Sequence, residues 1–114
     1  MEKDKAEIIE LPKIFDPRGS LTVTEQTKNI PFRINTTSWI YGVSLGRTIE
    51  DKTHKGQQKF IVALSGSFNI TLTEGVCKRV FMLNHPYQGL LLPSDSSYCI
   101  HNFSNDTVCL ILSS

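Results

Sequence analysis

Apolar and polar side chains alternate along most of this 114-residue chain. Short runs rich in β-branched and aromatic residues carry the alternation, and turn-forming pairs such as Glu74-Gly75 and Asn105-Asp106 separate them. A period of two is typical of β-strands, and short strands at close spacing favour a sandwich or a barrel. The predicted strands are 20–25, 36–44, 58–64, 67–73, 76–83, 88–92, 97–103 and 107–112.

The pattern offers little support for helices. Residues 7–11 could form one turn, but Pro12 would end it, because proline has no backbone N–H to donate. Ser65-Gly66 predicts a tight hairpin between the strands on either side of it. The chain length suits one domain, so we expect a single all-β domain over residues 1–114.

Composition narrows the classes of function. Hydrophobic residues make up 39% of the chain and charged residues 20%, which is enough to build a packed core. The net charge of +1 includes no basic stripe, which argues against nucleic-acid binding. No apolar run approaches the roughly 20 residues of a membrane span. The charged start of the chain does not resemble a signal peptide, so we expect cytoplasmic thiols at Cys77, Cys99 and Cys109.

Two stretches resemble the paired motifs of the cupins. Gly46 is followed after five residues by Lys52, Thr53 and His54, where the first cupin motif has Gly, five residues and His-x-His. That motif continues with a Glu, whose place falls on Gln58 or Lys59. The resemblance implies a cupin-type double-stranded β-helix, the jelly-roll barrel.

The second motif makes the expected barrel unusual. Pro93 and Asn102 bracket it, and Tyr98 stands where cupins have a metal-binding His. Lys, Gln and Tyr thus replace three ligands of the usual metal, and an ammonium repels a divalent cation. We therefore expect no metal and no other cofactor, so that side chains alone perform any chemistry.

Six further segments carry a closer resemblance, and they occur in family order within about residues 13 to 113. They resemble the dTDP-4-keto-6-deoxyglucose 3,4-ketoisomerases, the WxcM-like cupins of bacterial deoxysugar biosynthesis. The resemblance implies a metal-free enzyme, usually a homodimer with exchanged strands, that binds a dTDP-linked keto-deoxysugar inside the barrel. It implies transfer of the carbonyl from C4 to C3 through an enediol. The segments are 15–21, 40–43, 53–55, 64–68, 83–90 and 102–104.

The departures from the family pattern leave other functions open. Ile49 replaces an Arg, Lys52 replaces the first His of an Arg-Gly-x-His-Ala-His-Lys run, and Ser97 replaces a Trp. One alternative is a non-catalytic cupin that binds a nucleotide sugar or pairs with an active relative. Another is a structural or sensory module for a different small ligand.

Three residues are the candidates for catalysis. His54 is the candidate base, because an imidazole changes charge near neutral pH. Lys52 would lie on the same strand face and could stabilise an enediolate or hold a phosphate, or it is a solvated surface lysine. Tyr41 falls in a segment like the family's active-site strand and could donate its phenol, or it is an aromatic core residue.

Four residues are the candidates for binding the nucleotide sugar. Arg18 could hold the pyrophosphate through a bidentate contact, or it forms an ordinary ion pair in a turn. Arg47 could reach a phosphate from the loop before His54. Tyr98 could hydrogen-bond the ligand, or it fills the space of the lost His. Asn84, in the family-like segment 83–90, completes this set.

Overall fold

The computed structural model describes residues 6–11, 13–16, 19–22, 30–44, 46–74 and 76–114, with the backbone alone for 13–16, 19–22, 74 and 77. All regular structure in these residues is β. The strands are β1 (Glu7–Glu10), β2 (Lys13–Asp16), β3 (Gly19–Thr22), β4 (Thr36–Ile40), β5 (Ile49–Lys52), β6 (Lys59–Ser65), β7 (Phe68–Glu74), β8 (Cys77–Leu83), β9 (Gln88–Leu92), β10 (Ser97–His101) and β11 (Val108–Ser113).

Two antiparallel sheets form the body of the fold. The first has the strand order β1-β9-β6-β11-β4, and the second has the order β5-β10-β7-β8. A separate hairpin joins β2 to β3. The two sheets share one apolar core, so the arrangement is the jelly roll that the sequence predicted.

The inner core lies between the sheets and follows from the period of two. Ile61 and Ala63 of β6 lie opposite Ile111 and Cys109 of β11, so all four side chains project into the core. The second sheet contributes Ile70, Leu72, Leu83, Tyr98 and Ile100, all of them buried.

A second apolar cluster covers the outer face of the five-stranded sheet. Phe60 and Val62 of β6 project there, and Ile30 and Phe32 pack over them with Leu11. Strand β6 is therefore apolar on both faces, which explains the continuous run at 60–63 in place of alternation. The five-stranded sheet is thus the middle layer of the molecule.

Three sequence expectations about single elements were wrong. Residues Glu7–Glu10 form strand β1, which pairs with β9, because the sheet supplies hydrogen-bond partners that an isolated turn lacks. Ser65-Gly66 is not a hairpin turn, since β6 pairs with β9 and β11 while β7 pairs with β8 and β10. The turn instead carries the chain from one sheet to the other. The predicted set of strands lacked both β2, Lys13–Asp16, and β5, Ile49–Lys52.

Other expectations hold within narrower bounds. The expected strand 36–44 ends at Ile40, and the part of 20–25 beyond Thr22 lies outside the described residues. A turn at 105–106 separates β10 from β11 as expected, and β7 ends at Glu74 shortly before β8 begins at Cys77. Across the described ranges, no helix is long and apolar enough to cross a membrane.

Candidate functional site

A polar group occupies one end of the inner core. Lys59, the first residue of β6, lies opposite Ser113 and two residues before Ile61, so its side chain points inward. Asp51 of β5 lies opposite Tyr98 of β10, and Tyr98 belongs to the inner core. Each of the two sheets therefore brings one charged side chain, Lys59 from the first and Asp51 from the second, into the interior.

These three side chains form a closed hydrogen-bonded triangle, here called the interior triad (Lys59, Asp51 and Tyr98). The Lys59 ammonium donates to Asp51 Oδ2 at 2.9 Å and to the Tyr98 hydroxyl at 3.1 Å. The Tyr98 hydroxyl donates to the same Asp51 oxygen at 3.1 Å. An ammonium, a phenol and one carboxylate suit each other but do not suit a divalent cation, which takes its ligands from His, Cys and carboxylates.

Burial and charge fix the protonation of the triad. Burial raises the pKa of Tyr98 above its ordinary value, and the neighbouring Asp51 charge raises it further, so the phenol stays protonated. Burial alone would raise the pKa of Asp51, but hydrogen bonds from Lys59 and from the Lys52 backbone outweigh it. The pKa of Asp51 is therefore lowered from 3.8 and the carboxylate is ionised at neutral pH.

The interior is open to solvent beside the triad. The Lys59 side chain is only 10% exposed, whereas Asp51 is 50% exposed although it projects inward. On β4, Thr36 and Ser38 lie opposite Ser113 and Ile111, so they also face inward, and both are exposed. Strands β4 and β5 each lie at one end of their sheet, and each carries exposed polar side chains on its inner face.

Lys52 and His54 lie on the other side of β5. Both side chains are exposed and line a cavity of about 240 Å³. Between them, buried Thr53 donates its hydroxyl to the Pro93 carbonyl at 2.8 Å and accepts the Ser96 amide at 2.7 Å. This pair of bonds fixes the loop after β5 against the β9–β10 turn. The remaining lining residues are Lys55, Asp95, Ser96 and Ser97.

A tight turn fixes the backbone at His54. Its amide donates to Gln57 Oε1 at 3.0 Å, and the Gln57 amide donates back to the His54 carbonyl at 2.9 Å. Gly56 completes this turn with a φ of 75°, a conformation that glycine adopts without strain. The imidazole thus projects from an ordered turn at the rim of the cavity.

The structure does not bring Tyr41 to this cavity. Tyr41 follows the end of β4, is 71% exposed and lines a separate depression with residues of the β10–β11 turn. Along β11, Ile40 lies opposite Cys109 and Lys59 lies opposite Ser113. Four residues of antiparallel strand separate those positions by about 13 Å. Tyr41 and the interior triad therefore lie at opposite ends of the barrel.

The expected binding residues are also dispersed. Asn84 is exposed just beyond Leu83, which lies opposite Phe68, at the end of β7 far from Lys52. Arg47 is exposed in the loop before β5. Arg18 lies outside the described residues. Among the members of this set that the structure describes, only Tyr98 lies in the interior.

Sequence reasoning missed Asp51 and left Lys59 as one of two candidates. Lys59 was visible because the cupin spacing allows the Glu position to fall on residue 58 or 59. Asp51 occupies a position at which that motif accepts any residue. Its inward direction follows from its pairing with Tyr98, and no spacing in the sequence reveals that pairing.

A protein-family model described as FdtA, WxcM-like, C-terminal, matches residues 4–114. The chain belongs to this family. It is 33% identical over 107 residues to a TDP-4-oxo-6-deoxy-alpha-D-glucose-3,4-oxoisomerase of Aneurinibacillus thermoaerophilus. The matched region covers 94% of this chain and 77% of that protein. This membership confirms the family that the sequence motifs predicted.

Solved structures agree with this assignment. A 3,4-ketoisomerase from Helicobacter canadensis superposes with a TM-score of 0.92 at 29% identity, covering 99% of this chain and 84% of that one. The 3,4-ketoisomerase QdtA of Thermoanaerobacterium thermosaccharolyticum, a histidine-to-asparagine variant in complex with TDP-4-keto-6-deoxyglucose, gives 0.89 at 26% identity. That match covers 96% of this chain and 79% of QdtA.

Proposed function

We propose that this protein is a nucleotide-sugar 3,4-ketoisomerase that acts on a dTDP-4-keto-6-deoxyhexose. The observation that carries the proposal is the similarity to the Aneurinibacillus oxoisomerase, which extends over 94% of the chain. The Helicobacter and Thermoanaerobacterium structures support the same reaction type, because each is described as a 3,4-ketoisomerase and each superposes over almost the whole chain.

The reaction needs one base and one group that stabilises negative charge. A base removes the C3 proton, an enediol forms, and a proton returns at C4. His54 is the proposed base, since it projects into the cavity beside Lys52 from an ordered turn. Lys52 places a cationic group at that cavity, where it would hold a phosphate or an enediolate oxygen. Tyr41 lines a different depression, so the proposal gives it no part in this proton transfer.

The proposed nucleotide contacts follow family resemblance. Arg18 and Arg47 would bind the pyrophosphate, because a guanidinium matches two phosphate oxygens at once. Tyr98 would contact the sugar through the open edge of the barrel. Asn84 lies too far from Lys52 and His54 to contact the same sugar within one chain.

We further propose that the protein is a cytoplasmic homodimer. Cys99 and Cys109 are both free thiols, as is usual in a reducing compartment. In the described part of the chain, the end strands β4 and β8 each have a sheet neighbour on one side only. Pairing such an edge with a second copy would protect its unpaired backbone groups.

The test of the function is an NMR assay of the purified protein with the 4-keto-6-deoxy substrate in deuterated water. We expect a 3-keto isomer that carries deuterium at C4, because the returning proton passes through an exchangeable acid. His54→Ala should reduce the rate by roughly 10²–10⁴-fold, the usual cost of losing a positioned general base.

A second histidine provides the matched control. His85 stacks on Tyr87 at the β8–β9 turn, with ring centroids 4.9 Å apart, away from the Lys52 cavity. His85→Ala should keep wild-type turnover. Binding of the substrate by the native protein without isomer or deuterium would refute the enzyme and leave a non-catalytic nucleotide-sugar binder.

A further inference from the structure

We propose that Thr53 is a positioning residue of this site, whose buried hydroxyl holds the loop that carries His54 against the facing wall of the cavity. This inference rests on the proposed function, in which His54 is the base. The hydroxyl acts through the placement of His54 and not through contact with the reacting atoms.

Two separate segments of the chain form the walls of the cavity beside His54. Residues 52–55 come from the end of β5 and the loop after it, and residues 95–97 come from the β9–β10 turn and the start of β10. Strand pairing joins the two segments only as far as Lys52, which lies opposite Ser97 where β5 ends and β10 begins. Beyond that pair, the loop needs further bonds to keep its place against the turn.

Thr53 makes these bonds. Its hydroxyl donates to the Pro93 carbonyl at 2.8 Å and accepts the Ser96 amide at 2.7 Å. Its own amide donates to the Ser96 carbonyl at 2.8 Å. Thr53 is 3% exposed, and hydrogen bonds inside a protein are electrostatically stronger than in water. One buried residue thus ties the His54 loop to the opposite wall.

The shape of the β9–β10 turn also depends on this tie. Asp95 has a φ of 59°, in the left-handed region that residues with a Cβ seldom occupy. The Ser96 hydroxyl donates at 3.0 Å to the same Pro93 carbonyl that accepts from Thr53. Loss of the Thr53 hydroxyl would therefore loosen both the turn and the loop that carries His54.

The hydroxyl is a feature of this chain and not of the family run. In the pattern Arg-Gly-x-His-Ala-His-Lys, an alanine stands at the position of Thr53, and an alanine can make neither hydroxyl bond. On the facing wall, Ser97 stands where the family has a Trp, so this wall has no indole ring to pack. The bonds of Thr53 hold a wall that lacks that ring.

A tie of this kind matters most in the chemical step. A general base must lie within hydrogen-bond reach of the proton that it removes. A misplacement of about 1 Å can cost roughly 10²-fold in rate. His54 directly follows Thr53, so a shift of Thr53 also displaces the imidazole. Substrate binding relies on contacts spread along the nucleotide sugar, so KM should respond less than kcat.

The experiment compares kcat and KM in the full-length protein. Thr53→Val keeps the branched shape but removes the hydroxyl, and it should lower kcat by about 10-fold or more with a smaller change in KM. Thr53→Ala removes the same hydroxyl and serves if Thr53→Val fails to fold. Thr53→Ser keeps the hydroxyl and should retain a kcat close to that of the wild type.

A second buried threonine provides the matched control. Thr107 is also 3% exposed, and its hydroxyl donates to the Ser104 carbonyl at 2.7 Å. It lies in the turn after β10, whereas Ser96 lies just before that strand. Thr107→Val deletes a comparable buried bond and should leave kcat unchanged, because it does not touch the His54 loop.

Hydrogen–deuterium exchange measures the tie without catalysis. Backbone amides in segments 53–57 and 93–97 should exchange faster in Thr53→Val than in the wild type, because the two walls are no longer joined by the hydroxyl. The same segments should exchange at the wild-type rate in Thr53→Ser and in Thr107→Val.

The outcomes separate the two proposals. A wild-type protein that does not isomerise the sugar refutes the proposed function and this role with it. Wild-type turnover with an unchanged kcat in folded Thr53→Val or Thr53→Ala overturns the role of Thr53 alone, as does an equal fall in Thr107→Val. A fall in kcat without faster exchange in the two segments also overturns it. A fall in kcat that is confined to the variants without the Thr53 hydroxyl, together with faster exchange there, supports both proposals.

Discussion

At the scale of single residues, the end of the barrel interior that holds the triad contains an ion pair in place of the metal ligands of other cupins. Tyr98 stands where the second cupin motif has a His, Lys59 is one of the two residues at which the Glu of the first motif can fall, and each bonds to Asp51. A buried ammonium is costly unless a partner compensates it, and removal of the partner costs more than the pair itself contributes. The triad therefore makes each of its members sensitive to substitution.

Acid should separate the wild type from Asp51→Asn. The pKa of Asp51 is lower in the folded protein than in the unfolded chain, so its stabilising effect is present above about pH 4 and is lost as the pH falls through the folded value. We expect the variant to be less stable at about pH 7, with the difference in unfolding free energy shrinking at about pH 3. Urea denaturation at both values measures it.

One outcome of this comparison between the wild type and Asp51→Asn would contradict the ion pair. Below the pKa of Asp51, the wild-type carboxyl is neutral like the amide of the variant, so Lys59 lacks an anionic partner in both proteins. A gap in stability that stays constant from neutral to acid pH would show that Asp51 is not ionised against Lys59 in the folded state.

Sequence spacing located part of the site. It pointed to His54, Tyr98 and the 58–59 position because the cupin motifs fix how far apart ligands lie along the chain. It could not show that Tyr41 lies away from the interior triad, since only strand pairing places Ile40 and Lys59 four residues apart along β11. Whether two residues meet depends on that non-local pairing.

At the scale of secondary structure, the period of two recovered most strands but not their partners. The strands β6 to β11 all fall within or close to predicted runs. The Ser65-Gly66 turn was misassigned because a short turn looks the same in sequence whether it stays in one sheet or crosses to the other. Strands β1, β2 and β5 were missed because a four-residue strand is too short to show a clear alternation.

Packing of Phe60 on Gly89 offers a test of the middle sheet. Phe60 lies opposite Leu91 and reaches diagonally across β9, where a Cβ on Gly89 would overlap its ring. Gly89→Ala should therefore destabilise the protein by about 1–3 kcal/mol through overpacking. Chemical denaturation of the purified variant gives the free energy of unfolding.

A double-mutant cycle isolates that contact. In a Phe60→Leu background the ring is gone, so the added methyl group should cost less than it does in the wild type. Equal costs of Gly89→Ala in the two backgrounds would place the strain elsewhere in β9 and contradict the proposed overlap.

At the scale of the whole molecule, the two sheets leave apolar side chains at their edges. Trp39 on β4 is 59% exposed, and Val80 and Met82 on β8 are 62% and 58% exposed. Both strands end their sheets in the described part of the chain. An edge that combines free backbone groups with large apolar side chains is suited to pair with a second copy.

Sedimentation velocity tests the proposed homodimer. At micromolar concentrations we expect a species of twice the 12.8 kDa chain mass. Trp39→Lys charges the β4 edge and Val80→Lys charges the β8 edge, so the variant that dissociates identifies the edge in the interface. A wild-type protein that sediments as a single chain at these concentrations refutes the homodimer.

The order of the strands in the sheets also sets the order in which the fold can be completed during synthesis. Strand β1 leaves the ribosome first, yet its partner β9 lies some eighty residues later in the chain, where Glu7 meets Leu91. Pairings of such long range form slowly, since the intervening loop must close first. Strand β1 must therefore wait without its sheet partner until β9 has been made.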